Sequence, residues 1–230
     1  MTRRPLLLGH RGCRNRRPQA LAADLPLENS VSAFEYAISR GCDGIEFDVR
    51  HTRDGHNVIW HEAEWKGKEI ATADNTDLVD GDGSHLATLE KVVSQFGDRA
   101  YLDIELKVSG GEGAVVTALR ANPPRRGFIV TSFCPEILLR LHDLDGKLPI
   151  GFICDRPEAV DIWRDLPVEV ILPRHDLVRP RFTDEVHGRG QQIMTWTVNS
   201  SGKMLQLAEW GIDGLISDDP QLLCRTFHTQ

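Results

Sequence analysis

The sequence has no apolar run approaching the ~20 residues of a membrane-spanning helix. After Met1-Thr2-Arg3-Arg4 the only early apolar stretch is Leu6-Leu7-Leu8, short of the ~7 to 15 residues of a secretory h-region. Neither stable membrane insertion nor a cleaved leader is therefore expected. The cysteines, at positions 13, 42, 134, 154 and 224, are odd in number and have no C-x-x-C spacing. A disulfide framework is not expected in a chain of this length, and the residues read as reduced thiols of a cytoplasmic protein. An excess of positive charge is also missing, since 27 Lys and Arg against 34 Asp and Glu give a formal charge of −7. Gripping a nucleic-acid backbone or an anionic membrane favours a basic surface, so neither is an expected partner. Internal repeats, coiled-coil heptads and Pro/Ser-rich hinges are absent too. What remains is 230 residues with enough apolar content, 40%, for a sizeable core, organised as one large domain or two small ones.

Short β-like runs alternate with amphipathic helical stretches along the whole chain, the order expected of a parallel α/β fold. Strands are predicted near residues 6–11, 44–50, 101–107, 128–133, 150–155, 168–174, 193–199 and 214–217. Helices are predicted at 30–40, 89–96, 114–122, 135–144, 157–165, 181–189, 203–210 and 221–227. Pro135, Pro157 and Pro220 stand at helix fronts, and Gly41, Gly97, Gly190 and Gly211 where helices should stop. Eight such units suggest a compact (β/α)₈ TIM barrel, with an open doubly wound sheet as the competing architecture. Residues 57–61 look strand-like, whereas 62–85 is polar, rich in Gly and Asp, and without clear periodicity. That stretch is expected to form an excursion on the barrel's upper rim.

In Gly44-Ile45-Glu46-Phe47-Asp48-Val49-Arg50, alternation puts Glu46, Asp48 and Arg50 on one face and Ile45, Phe47 and Val49 on the other. From Tyr101 to Lys107 the pattern repeats, with Asp103, Glu105 and Lys107 opposite Leu102, Ile104 and Leu106. In a closed barrel the apolar set packs on the helices, so the charged set points inward. Desolvating a carboxylate costs several kcal/mol, so converging acids need compensation. One solution is internal pairing, Glu105 with Lys107 or Asp48 with Arg50. The other is one divalent cation, for which Mg²⁺ or Ca²⁺ suits an all-oxygen set better than Zn²⁺. His10 closes the first strand and His61 the run after Asp48, at the end of a barrel where active sites form. One imidazole can take a proton while the other gives one. The planar fork of Arg11 matches a phosphate, and Lys107 adds a second positive charge. Together these residues describe phosphoryl chemistry.

The ordered series His10-Arg11-Gly12, Leu27-Glu28-Asn29-Ser30, the Glu-x-Asp of 41–49, His61, Glu105-x-Lys107, Thr195-Trp196-Thr197-Val198-Asn199 and 211–218 resembles the glycerophosphodiester phosphodiesterases. The resemblance runs from residue 6 to about 220. It implies a single catalytic (β/α)₈ domain over residues 1–230 that hydrolyses glycerophosphodiesters to glycerol 3-phosphate and an alcohol, using Mg²⁺ or Ca²⁺. By the same resemblance, Glu46, Asp48 and Glu105 are the expected metal ligands, and His10 and His61 the acid/base pair. Arg11 and Lys107 are the expected phosphate contacts, Glu28 organises the site, and Phe133 and Trp196 line the glycerol or leaving-group pocket. The chain departs from the family at Glu62, where Asp is usual, which puts the orientation of His61 in question. It also departs at residues 62–87, a rim insertion that is short for the family and lacks its Leu-x-Arg-Thr-Thr run.

Two other readings stay open at this point: a lysophospholipase D or sphingomyelinase D-like enzyme acting on a lipid head group, and a non-catalytic barrel that binds phosphodiesters. The attacking nucleophile, water or the glycerol 2-hydroxyl, is open as well, and so is a homo-oligomer.

Overall fold

The computed structural model describes residues 4–14, 25–79 and 85–228. Met1, Thr2 and Arg3 of the N-terminal reading, and residues 80–84 of the rim excursion, lie outside the described residues. In chain order, β1 (Leu6–Gly9) leads through α1 (Val31–Ser39) to β2 (Gly44–His51). Next come β3 (Asn57–Ile59), a hairpin of β4 (Glu64–Trp65) and β5 (Lys68–Glu69), and α2 (Leu89–Phe96). The chain continues through β6 (Tyr101–Leu106), α3 (Glu112–Ala121), β7 (Phe128–Ser132), α4 (Pro135–Leu144) and β8 (Ile150–Cys154). It ends with β9 (Val170–Pro173), α5 (Pro180–Gly188), β10 (Gln192–Thr195), α6 (Ser201–Glu209), β11 (Gly214–Ser217) and α7 (Pro220–His228).

Strands β1, β2 and β6 to β11 are all parallel, and β1 pairs with both β2 and β11, which closes the barrel. The doubly wound alternative is thereby excluded. Alternation decides what faces where. Ile45, Phe47 and Val49 of β2 point out to the helices, where the Phe34 ring of α1 lies 5.6 Å from Phe47 and 5.7 Å from Phe96 of α2. Inside the barrel, Leu8, Ile129, Ile153, Val170, Leu172, Met194 and Ile216 form a separate apolar cluster. That plug fills one side of the interior and leaves the acids of β2 and β6 on the other. The helix starts follow local chemistry: Ser30 caps α1 by accepting from the Ala33 N–H at 3.2 Å, and Pro135 and Pro220 open α4 and α7.

One expectation is corrected and another is sharpened. No α-helix joins β8 to β9; the segment predicted at 157–165 forms two short 3₁₀ turns, Pro157–Ala159 and Ile162–Asp165. It has one fully buried anchor, Trp163, while Ile162 stays exposed, so there is no apolar stripe to stabilise a helix against its nucleation cost. The rim excursion is more than a polar loop. Val58, Trp65, Ile70, Ala73 and Leu78 bury one another in a small core of their own, with Trp60 and Leu86 packed against it. Its hairpin turns at Lys66-Gly67, both at positive φ, which suits a two-residue connection.

Candidate active site

The upper end of the barrel holds a cavity of ≈ 220 Å³. His10, Arg11, Glu46, His61, Glu105 and Lys107 line its charged side, and Phe133, Leu172 and Trp196 its apolar side. Asp48 pairs in register with Glu105, and Glu46 with Asp103, so the alternating acids of adjacent strands form two inward layers. One carboxylate oxygen from each of Glu46, Asp48 and Glu105 lies within 4.8 Å of the others, and the three form a cluster that can hold a metal ion.

The turn after β1 is built around these acids. Gly12 packs on α1 so closely that a Cβ would come within 2.6 Å of the Ala33 carbonyl carbon. Arg11 is held at φ 52, a costly backbone for a non-glycine residue, because both its neighbours fix it. Its N–H donates to Glu46 Oε2 at 2.8 Å, and its carbonyl accepts from the Asn29 N–H at 3.0 Å. The Arg11 side chain then reaches Asp48 (Nε to Oδ2, 3.0 Å) and Glu28 (Nη1 to Oε1, 2.6 Å). Glu28 thus lies behind Arg11, where it also meets Arg14 Nε at 3.1 Å. Asn29 donates from Nδ2 to Asp48 Oδ2 at 2.7 Å and accepts the Asp48 N–H at 3.2 Å.

Of the two internal pairings, one forms: Lys107 Nζ donates to Glu105 Oε1 at 2.5 Å and lies 3.4 Å from Asp48 Oδ1. Arg50 does not pair with Asp48. Its Nε and Nη2 donate to the His61 carbonyl at 2.8 and 2.6 Å, which fixes the main chain under that ring. His61 Nδ1 lies 2.7 Å from Glu62 Oε1, so the longer acid at position 62 still reaches the imidazole. His10 Nδ1 is 2.6 Å from Asp218 Oδ1, and its Nε2 is 3.8 Å from Glu46 Oε2. Phe133 and Trp196 meet edge to face at 5.4 Å, the indole fixed by its N–H to the Leu172 carbonyl at 2.8 Å.

Burial and mutual repulsion set the charge states. Burial, then the neighbouring Asp48, Glu105 and Asp103, hold Glu46 well above the usual carboxylate range. Burial and Asp48 push Glu105 up to about 7, and burial does the same to Asp103, which accepts from Thr131 Oγ1 at 2.7 Å. Asp48 is equally buried, yet Lys107, Arg11 and the Asn29 hydrogen bond outweigh burial and keep it low. Burial pulls His61 down, against Asp48 and Glu62. Glu46 Oε1 and Asp48 Oδ1 are both buried acceptors with no hydrogen-bond donor among the described residues.

Of the ten residues expected at the site, eight line the cavity, Asp48 joins Glu46 and Glu105 just behind its wall, and Glu28 joins through Arg11. Four residues of the assembly are not singled out from sequence: Arg14, Asn29, Asn199 and Asp218. Asn29, Asn199 and Asp218 fall within the quoted motifs, which was the signal available. Arg50 lies on the expected face, but its partner is the His61 carbonyl rather than Asp48.

Comparison with known proteins gives the same picture. The glycerophosphoryl diester phosphodiesterase family matches residues 10–222. A glycerophosphodiester phosphodiesterase of Caldanaerobacter subterraneus is 27% identical, covering 95% of this chain and 96% of its own. The crystal structure of a glycerophosphodiester phosphodiesterase from Parabacteroides distasonis superimposes with a TM-score of 0.83 at 19% identity, covering 100% of this chain and 99% of its own. An Oleispira antarctica phosphodiesterase, solved in complex with the product sn-glycerol-3-phosphate, gives 0.81 at 20% identity over 97% of each chain. The likeness in fold thus accompanies a family match over nearly the whole length, and the chain belongs to the glycerophosphoryl diester phosphodiesterase family as an enzyme of that class.

Proposed function

We propose that this chain hydrolyses glycerophosphodiesters to glycerol 3-phosphate and an alcohol, with residues 1–230 acting as one catalytic domain and residues 62–87 as a rim insertion. The observation that carries the reading is the convergence of three carboxylates, two imidazoles, two guanidinium groups and an ammonium on one cavity. The acids suit a divalent cation, Mg²⁺ or Ca²⁺. Four buried acids, Glu46, Asp48, Asp103 and Glu105, face the cations Arg11 and Lys107, with the more exposed Arg14 at the cavity wall, and two of their oxygens lack donors among the described residues. When bound there, the cation supplies charge neutralisation and polarisation at the phosphate.

The chain's own residues do the rest. Arg11 and Lys107 hold the phosphate oxygens, with Glu28 steadying the Arg11 fork from behind. His10 takes the proton from the attacking oxygen, water or the glycerol 2-hydroxyl. His61 gives a proton to the departing alcohol oxygen as its bond to phosphorus breaks; burial makes the protonated ring a stronger acid. Phe133 and Trp196 form the apolar wall against which the carbon skeleton of the glycerol or of the leaving alcohol packs. The five free cysteines support a reducing, cytoplasmic setting, and among the described residues no helix is long and apolar enough to cross a membrane.

The test is release of glycerol 3-phosphate from glycerophosphocholine, glycerophosphoethanolamine and glycerophosphoglycerol, with Mg²⁺ or Ca²⁺ and with EDTA. Turnover that EDTA abolishes is the expected result. Leu27 and Phe133, 59% and 37% exposed, make lysophospholipid the necessary comparison substrate. A strong preference for it would favour a lipid-directed enzyme, and binding without turnover a non-catalytic barrel.

A further inference from the structure

The two ring nitrogens of His10 have different surroundings. Nδ1 lies 2.6 Å from Asp218 Oδ1, whereas Nε2 is on the cavity side, 3.8 Å from Glu46 Oε2. The second oxygen of Asp218 accepts from Asn199 Nδ2 at 2.7 Å. Asn199 cannot be turned over, because its Oδ1 accepts both the Ser217 hydroxyl at 3.1 Å and the Asp218 N–H at 3.0 Å. A flipped amide would set its NH₂ against the backbone donor and its oxygen against a carboxylate. Asp218 is buried with both oxygens in contact, and the His10 N–H donates to the Ser217 carbonyl at 2.8 Å, tying the two chain segments together beside it. An ionised carboxylate only accepts, so the proton of this contact belongs to His10 Nδ1. The neutral ring then presents its lone pair at Nε2, toward the cavity.

We propose that Asp218 and Asn199 are positioning residues that hold His10 in its Nδ1–H tautomer, leaving Nε2 as the proton acceptor in diester hydrolysis. This rests on the reading of His10 as the base. The two residues act in series, Asn199 aiming the carboxylate and the carboxylate aiming the ring. Asp218→Asn is the informative change. Asn199 still donates at the Oδ2 position and draws the new amide's oxygen there, which turns the new NH₂ toward His10 Nδ1. The ring must then accept at Nδ1 and carry its proton on Nε2, the wrong nitrogen for a base.

The experiment combines histidine ring ¹⁵N NMR, read across a pH series at the point where the His10 ring is neutral, with steady-state kinetics on glycerophosphodiester in Mg²⁺. Wild type should show His10 protonated at Nδ1 and bare at Nε2, and Asp218→Asn the reverse. In that variant kcat should fall on the order of 10²- to 10⁴-fold, with KM within about twofold and Mg²⁺ affinity unchanged. A purely packing role for Asp218 would not exchange the ring nitrogens. Asn199→Ala, which leaves the carboxylate in place but unaimed, should cost about tenfold in kcat. A wild-type ring protonated on Nε2 overturns the proposal, as does either variant at wild-type kcat, and the wild-type spectrum and Asn199→Ala decide the matter if Asp218→Asn does not fold. Failure of the wild type to hydrolyse any glycerophosphodiester would instead overturn the functional reading, and the ring spectrum would still decide the tautomer.

Discussion

His10 and His61 face one cavity and are held in opposite ways. The Nδ1 contacts are nearly equal in length, 2.6 and 2.7 Å. Their settings are not: the side chain of Asp218 is 4% exposed and that of Glu62 is 70% exposed. A charge-assisted hydrogen bond in a water-poor interior keeps most of its electrostatic strength, whereas an exposed one is screened and competes with solvent. His61 is secured differently, through the Arg50 fork on its carbonyl, which fixes the main chain and leaves the ring freer to turn. The barrel thus offers one imidazole locked by its ring and another locked by its backbone. That division suits a pair in which one group needs a defined lone pair and the other has to follow a departing alcohol.

The largest effects test whether both histidines serve the same centre. Glu46→Gln should lower metal affinity and turnover together, by on the order of 10²-fold or more in rate. His10→Ala and His61→Ala should cost a comparable factor in turnover while calorimetric metal titration stays near wild type. Near wild-type turnover in both histidine variants would rule out the acid/base assignment.

A smaller effect reads the buried side through pH. Without metal, Glu46 is held well above the usual carboxylate range and Glu105 at about 7. An acid whose pKa is higher folded than unfolded binds its proton more tightly in the folded state. Its stabilising contribution is full below the ordinary carboxylate pKa of ~4 and is lost as pH rises through about 7. EDTA-treated protein should therefore lose several degrees of Tm between about pH 5 and pH 8, and saturating Mg²⁺ or Ca²⁺ should restore most of it. A flat profile in EDTA would show that these acids are not strained by burial.

The smallest effect belongs to the rim. An exposed ion pair is worth about 0 to 1 kcal/mol, so Glu62→Gln should cost at most about fivefold in turnover, and raising the ionic strength should shrink even that. A loss as large as that of Asp218→Asn would erase the distinction between the two histidines.

The parts of this molecule visible in the sequence are those with short-range periodicity. Alternation along β2 and β6 is enough to separate Glu46, Asp48 and Glu105 from Ile45, Phe47 and Ile104, because a strand's period is a property of its own residues. The ends of elements were also legible where one residue type decides them, as with Ser30 and Pro135. Arg50 shows the limit: its face could be read, but its partner depended on how β3 folds back against β2, which brings the His61 carbonyl within reach. The satellite core around Trp65 and Leu78 was hidden for a similar reason, since its apolar residues are scattered among polar ones and come together only through turns. Asp218 and Asn199 lie within motifs that carry the family resemblance, but nothing local to those motifs ties them to His10, which is far away in sequence.

The pairing of β1 with β11 brings residues 208 positions apart into hydrogen-bonding contact. During synthesis, the three carboxylates and both histidines are complete once residue 105 has been made, whereas the support of His10 waits for the last strand. On the proposed mechanism, a nascent or truncated chain ending before β11 therefore carries both imidazoles and all three carboxylates and still lacks the contact that holds His10, so catalytic competence arrives with closure of the barrel.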